Sequence, residues 1–132
     1  MILTAALIGA VVGAAAVFML FRTGMLAERS GVAVLLSAIA VFYPVFAAIE
    51  EDWAAVLLHI GIFSGFTWLA LQGFQKGMHI LAGGLIAHGF FDIGIETINA
   101  PGPAWWPFFC AAIDIVMGVA LIRLLQTGKI AP

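Results

Sequence analysis

The chain has 132 residues, of which 64% are hydrophobic and 9% are charged, and its mean hydropathy is +1.19. Soluble domains are about 45–50% apolar and about one quarter charged, and a chain of this size has no core large enough to hide so much apolar surface. The composition therefore excludes a soluble domain, and a net charge of −2 with five scattered basic residues gives no sign of nucleic-acid binding.

Five apolar stretches follow one another along the chain, and each is long enough to cross a hydrocarbon core about 30 Å thick. Short polar turns separate them and leave no room for a soluble domain. We therefore predict an all-α membrane protein, a bundle of five transmembrane helices that forms a single domain over residues 1–132. The predicted spans are 2–21, 31–50, 53–73, 78–98 and 107–125.

The first span raises the question of a cleaved signal peptide. It lacks a basic n-region, and its apolar run is longer than a typical h-region of 7–15 residues. We therefore expect a transmembrane helix there. Gly9 and Gly13 in this span form a small-xxx-small pair, as do Gly61 and Gly65 in the third span, and such pairs allow helices to approach closely.

Pro44 interrupts the second span. Proline cannot donate a backbone hydrogen bond, so we expect a kink beside Tyr43 and a freed carbonyl near Ala40. Asp52 precedes the third span and is a plausible N-cap for that helix.

The basic residues indicate the orientation of the chain in the membrane. With five spans, the turns after spans one and three share one side of the membrane with the C-terminus, and every lysine and arginine lies on that side. The positive-inside rule then places the N-terminus outside and the C-terminus in the cytoplasm of what we expect to be a bacterial cytoplasmic membrane. The basic residues are Arg22, Arg29, Lys76, Arg123 and Lys129.

Ionisable side chains gather in the outer half of this predicted bundle. At about 1.5 Å per helical residue, His59 lies about 9 Å deep, His88 about 13 Å, Asp92 about 8 Å and Asp114 about 10 Å. Tyr43 lies about 10 Å deep on the second span. Placing a carboxylate inside a membrane costs free energy, and such residues commonly have a function. The alternative is a structural role, in which these side chains form hydrogen bonds that join neighbouring helices.

These residues predict an intramembrane site. The ligand set would be His59, His88, Asp92 and Asp114, which suits Zn²⁺ or Fe better than copper. The same site could instead perform acid–base chemistry on a lipophilic small molecule, with His88, Asp92 and Asp114 as the catalytic groups. The supporting residues would be Tyr43, Glu50, Glu96 and Cys110.

Each of these supporting residues can also be explained without a role in a functional site. Glu50 and Glu96 lie near the membrane boundary, where solvated carboxylates are common. Tyr43 would equally serve as an interface anchor. Cys110, the single cysteine, excludes an internal disulfide framework and is more often a small buried apolar residue than a ligand.

Two other classes of function remain open from the sequence. A proton-coupled transporter would use the carboxylates as a relay, but five spans would require a homo-oligomer, and the chain shows no internal repeat. An accessory subunit of a larger membrane complex would bury the polar cluster for helix docking and present its small-residue faces to partners. Membrane lipid is the expected surrounding in every case.

The C-terminal third of the chain resembles a family of small bacterial membrane proteins known only as a domain of unknown function. The resemblance covers about residues 80–125 and rests on His88-Gly89-Phe90-Phe91-Asp92, a loop with proline and tryptophan, and Cys110-Ala111-Ala112-Ile113-Asp114. Family members often carry further histidines after the first aspartate, where this chain has Ile93-Gly94-Ile95-Glu96. The resemblance implies that His88, Asp92, Cys110 and Asp114 belong together, and it supplies no reaction.

Overall fold

A computed structural model describes residues 1–97 and 100–132 of the chain. Over these residues the secondary structure is entirely helical. The helices are α1 (Ile2–Arg22), α2 (Ser30–Ala40), α3 (Phe42–Ile49), α4 (Trp53–Lys76), α5 (Met78–Glu96) and α6 (Trp106–Gln126). Because α2 and α3 together form one apolar span, five helices are long and apolar enough to cross a membrane, which confirms the predicted number.

The ends of the predicted spans agree with the helices to within a few residues. The third span is longer than predicted, because α4 continues to Lys76 and stops only at Gly77. Gly77 has φ +153°, and a side chain there would meet the ring of His79, so glycine makes this tight turn possible. The predicted end of the fourth span at residue 98, with Asn99 of the loop that follows, lies outside the described residues.

Local capping explains where α4 begins. The side chain of Asp52 accepts a hydrogen bond from the backbone N–H of Ala55 at 3.0 Å. This bond satisfies one of the free N–H groups in the first turn of the helix. The prediction that Asp52 caps this helix is therefore confirmed.

The second span is interrupted at Val41, which separates α2 from α3. Pro44 follows three residues later and has no N–H to donate to the carbonyl of Ala40, so the regular helical ladder cannot continue there. Tyr43 lies at the start of α3, directly after the interruption, and its side chain is buried. The break therefore sets the direction in which Tyr43 enters the bundle.

The helices pack in a defined order, with α6 between α1 and α5, and with α4 against both α5 and the α2–α3 pair. Glycines allow the closest approaches. A Cβ atom on Gly9 or Gly13 would collide with the backbone of α6 at Phe109 or Ile113. Tight helix contact at the first glycine pair thus occurs inside this bundle.

The second glycine pair behaves differently. Gly61 and Gly65 on α4 have open space around the position of a Cβ atom, so no helix in the described part of the chain packs there. The expectation of close helix approach at this pair is not met within the chain. The outward face of α4 is strongly apolar, with Leu57, Leu58 and Trp68 exposed, as expected of a surface that contacts lipid.

One end of the bundle, which we call the tryptophan end, carries Trp53, Trp105 and Trp106. The α5–α6 loop is tied to the end of α3 there, because Glu50 Oε1 accepts a hydrogen bond from the N–H of Gly102 at 2.7 Å. The ring of Trp106 also lies 4.6 Å from the ring of Phe42, measured between centroids. These contacts fix the start of α6 relative to the other helices.

Candidate metal centre

Two adjacent helices supply the candidate centre. His88 and Asp92 lie one turn apart on α5, and Cys110 and Asp114 lie one turn apart on α6. Gly89 lets the helices meet here, because a Cβ atom at this position would lie only 3.1 Å from the carbonyl oxygen of Ala111. The backbones are therefore close enough for side chains of α5 and α6 to touch directly.

The resulting distances are short. His88 Nδ1 lies 2.7 Å from Asp114 Oδ2 and 3.3 Å from Asp92 Oδ2. The thiol of Cys110 lies 3.9 Å from Asp114 Oδ2. One potential ligand atom from each of the four residues lies within 4.8 Å of all the others. We call His88, Asp92, Cys110 and Asp114 the four-residue centre.

The four-residue centre is sealed from solvent. His88, Asp92 and Asp114 are 0% exposed and Cys110 is 1% exposed. The ring of Phe66 contacts the imidazole of His88 at 4.7 Å between centroids, which adds an apolar wall. Among the described residues, neither carboxylate has a lysine or arginine within ion-pair distance. Two carboxylates in such surroundings require a proton or a cation, because a buried unpaired charge is strongly unfavourable.

Three polar atoms of the centre lack a hydrogen-bond partner, namely His88 Nε2, Asp92 Oδ2 and Asp114 Oδ1. A ring nitrogen carries at most one hydrogen, and the short contact of His88 Nδ1 to Asp114 uses it, so the 3.3 Å approach to Asp92 Oδ2 is electrostatic. Most buried polar side-chain atoms in proteins have a partner. Among the described residues, Asp92 Oδ2 lies 3.3 Å from His88 Nδ1 without a hydrogen-bond partner, so a cation bound there would satisfy it.

Tyr43 and His59 flank the four-residue centre. The hydroxyl of Tyr43 donates a hydrogen bond to Asp92 Oδ1 at 2.8 Å, and its ring stacks on the imidazole of His59 at 5.4 Å between centroids. His59 is 3% exposed, and its Nδ1 has no hydrogen-bond partner. His59 was expected among the metal ligands, but it lies against Tyr43 and is not part of the four-residue centre.

The two glutamates expected to support the site lie apart from the four-residue centre. Glu50 is exposed and holds the loop at Gly102. Glu96 is half-buried one turn beyond Asp92 on α5. Cys110, expected only in a supporting role, supplies a fourth potential ligand atom. Its spacing of four residues from Asp114, the same as between His88 and Asp92, is the sequence signal for this position.

The donor atoms of the centre fit a zinc ion. Zn²⁺ binds His nitrogen, Cys sulfur and carboxylate oxygen at about 2.0–2.3 Å in a tetrahedron, which places neighbouring donors about 3.3–3.8 Å apart. The observed separations of 2.7, 3.3 and 3.9 Å bracket this range. Of these three contacts, the hydrogen-bonded one between His88 and Asp114 is the one that would have to lengthen most, and the remaining donor separations are within 4.8 Å.

Comparisons of the chain with protein-family models, with curated proteins and with solved structures return no match. The assignment therefore rests on the residues of this chain. They form a polytopic helical protein with five helices suited to crossing a membrane. Its buried His/Asp/Cys cluster has the donor set of a metal site.

Proposed function

We propose that this chain is an integral protein of the bacterial cytoplasmic membrane that binds one divalent metal ion, Zn²⁺ or Fe, at the four-residue centre. The observation that carries the proposal is a pair of fully buried carboxylates that, among the described residues, have no lysine or arginine within ion-pair distance and lie beside two further potential ligands, His88 and Cys110. A cation bound by one ligand atom from each of the four residues would neutralise both carboxylates at once. The thiol of Cys110 and the set of four mixed N, O and S donors favour Zn²⁺ over Fe.

The number of protein donors bears on what the ion would do. Catalytic zinc sites usually keep one position open for water, whereas structural sites are closed by four protein ligands. His88, Asp92, Cys110 and Asp114 offer one ligand atom each, which matches the four ligands of a closed tetrahedral site. We therefore favour a role in which the ion is held, stored or passed on, and in which it ties α5 to α6, over one in which it activates water.

Acid–base chemistry on a lipophilic molecule is the second candidate, and the hydrogen bonds at both ends of the centre favour it. Tyr43 donates to Asp92, while His88 shares a proton with Asp114. However, the apolar groove of about 640 Å³ between α2 and α4 is lined by residues such as Val34, and none of its lining residues belongs to the four-residue centre. A ligand in that groove would not touch the proposed catalytic groups, so metal binding is the better account.

Metal analysis tests the proposal directly. Protein purified in mild detergent should carry about one equivalent of zinc or iron, and a strong chelator should remove it. Loss of an ion present at one hundred times its Kd should lower the free energy of unfolding by about 2.7 kcal/mol, which is visible as a lower Tm. Protein that holds no metal as purified, and takes up neither Zn²⁺ nor Fe²⁺ on reconstitution, would contradict the proposal.

The proposed orientation, with the N-terminus outside, is supported by the placement of all five basic residues on one side of the predicted spans. A fluorescent reporter that folds only in the cytoplasm should therefore be bright when fused after residue 132. The matched control is the same reporter fused after residue 102, beyond α5, which should be dark. Bright cells from the control together with dark cells from the full-length fusion would reverse the assignment.

A further inference from the structure

We propose that Tyr43 restricts Asp92 to one ligand oxygen and thereby selects a four-coordinate ion at the four-residue centre. The inference rests on the proposed metal-binding function and names the residue that determines its specificity. Tyr43 itself would not touch the ion. It would act as a positioning residue through the carboxylate of Asp92.

The two oxygens of Asp92 have different surroundings. Oδ1 accepts the hydrogen bond from the Tyr43 hydroxyl at 2.8 Å. Oδ2 has no hydrogen-bond partner and lies 3.3 Å from His88 Nδ1, on the side of the other ligands. A carboxylate held in this way is oriented to offer Oδ2 to a metal, because the hydrogen bond from Tyr43 holds Oδ1 and competes with its binding to the ion.

The number of oxygens that Asp92 offers decides the coordination number. With Oδ2 alone, the centre supplies one nitrogen, one sulfur and two oxygens, which is a tetrahedral set that suits Zn²⁺. If both oxygens of Asp92 were free, the centre could supply five donors and would accept ions that prefer more ligands. Asp114 Oδ1 also lacks a partner among the described residues, so the hydroxyl of Tyr43 withholds one of the two extra oxygens that an ion of higher coordination number could use.

Tyr43 is firmly held in this position. Its side chain is 1% exposed, its ring stacks on His59, and the ring of Phe91 meets it edge-on at 5.7 Å between centroids. The interruption at Val41 fixes where its backbone enters the bundle. The hydroxyl therefore has little freedom to leave Asp92, and hydrogen-bonding partners of ligands commonly orient the ligand and tune its affinity for the metal.

The test compares Tyr43→Phe with the wild type and uses Co²⁺ as a spectroscopic probe, because visible absorption by Co²⁺ is strong in four-coordinate sites and weaker at higher coordination. We expect strong absorption from the wild type and a clearly weaker band from Tyr43→Phe at the same Co²⁺ content. Affinity for Zn²⁺ should fall about 10–100-fold in the variant. An unchanged spectrum with unchanged Zn²⁺ affinity would overturn the inference.

Thr67→Val is the matched control. Like Tyr43→Phe it deletes a buried hydroxyl, but Thr67 lines the groove between α2 and α4, and its Oγ1 has no hydrogen-bond partner. Its Co²⁺ spectrum and Zn²⁺ affinity should match those of the wild type. If this variant shows the same changes as Tyr43→Phe, loss of general packing explains both results and the inference fails.

A measurement on the wild type keeps the inference testable if Tyr43→Phe does not fold. X-ray absorption of the zinc-loaded protein should give one sulfur at about 2.3 Å and three light atoms at about 2.0–2.2 Å. A fifth ligand would contradict selection of a four-coordinate ion, and this would overturn the inference while leaving metal binding intact. A wild-type protein that binds neither Co²⁺ nor Zn²⁺ would overturn the proposed function as well.

Discussion

Asp114→Asn is expected to fold like the wild type and to lose its bound metal, with zinc content falling below about a tenth of the wild-type value. Asparagine keeps the shape of the side chain and can still accept a hydrogen bond from His88, so the contact between α5 and α6 survives. It cannot supply the negative oxygen that metal binding requires. Elemental analysis of the purified variant measures its metal content, and thermal unfolding of the same sample measures its stability.

Asp114→Ala separates the metal role from a purely structural one. Alanine removes the partner of His88 Nδ1 and leaves a buried polar group unpaired, which costs about 1–3 kcal/mol. This variant should therefore lose both the metal and stability, even when compared with chelator-treated wild type. Asp52→Asn, which changes an exposed helix cap away from the centre, is the matched control and should keep its metal.

A different pattern would favour the structural account of the cluster. If Asp114→Asn keeps full stability and unchanged metal content while Asp114→Ala is destabilised, the carboxylate serves only to join two helices. If Asp114→Asn fails to fold, His88→Gln supplies the same comparison from the other side of the contact, because it also replaces a ligand with an uncharged hydrogen-bonding group.

Gly118→Ala is expected to destabilise the bundle by about 1–3 kcal/mol, the usual cost of overpacking a tight contact. A Cβ atom there would lie 2.8 Å from the backbone oxygen of Ala82 on α5, and backbone cannot move aside as a flexible side chain can. Asp114 lies one turn away on α6, so forcing the helices apart should also weaken metal binding. Thermal unfolding and zinc titration measure the two effects.

Gly83→Ala is the control for this substitution. Gly83 lies on α5, next to residues that pack against α6, but nothing approaches the position of its Cβ atom. Alanine there should be neutral or slightly stabilising, because it favours the helix more than glycine does. Equal unfolding temperatures for the two variants would show that the contact at Gly118 is looser than described.

The helices could be predicted from the sequence because each one depends on local properties. Five apolar runs of membrane-spanning length give five helices long and apolar enough to cross a membrane, and Asp52 caps α4 as its position before that helix suggests. Which helices pack against each other could not be predicted in the same way. Gly9–Gly13 and Gly61–Gly65 have the same spacing, yet the first pair packs against α6 and the second faces open space, because a glycine pair does not specify which helix will cover it.

The residues that meet at the candidate site could likewise be predicted only in part. Spacing of four residues and equal depth indicated that His88, Asp92 and Asp114 lie at one level, and the structure brings them together. Depth does not determine how each helix is rotated about its own axis. His59 has a suitable depth but faces Tyr43, whereas Cys110 shares a helix face with Asp114 and joins the four-residue centre.

The packing of α1 against α6 has a consequence for how the protein is made. α1 ends at Arg22 and α6 begins at Trp106, so the ribosome delivers the first of these partners well before the second. During that interval, the glycine-lined face of α1 lacks the helix that covers it in the finished bundle. Because the sequence of α1 is apolar, this helix can remain in a lipid bilayer without its partner until α6 is made. Assembly of the bundle is thus completed late, when insertion of α6 brings α1 and α5 onto the opposite sides of a single helix.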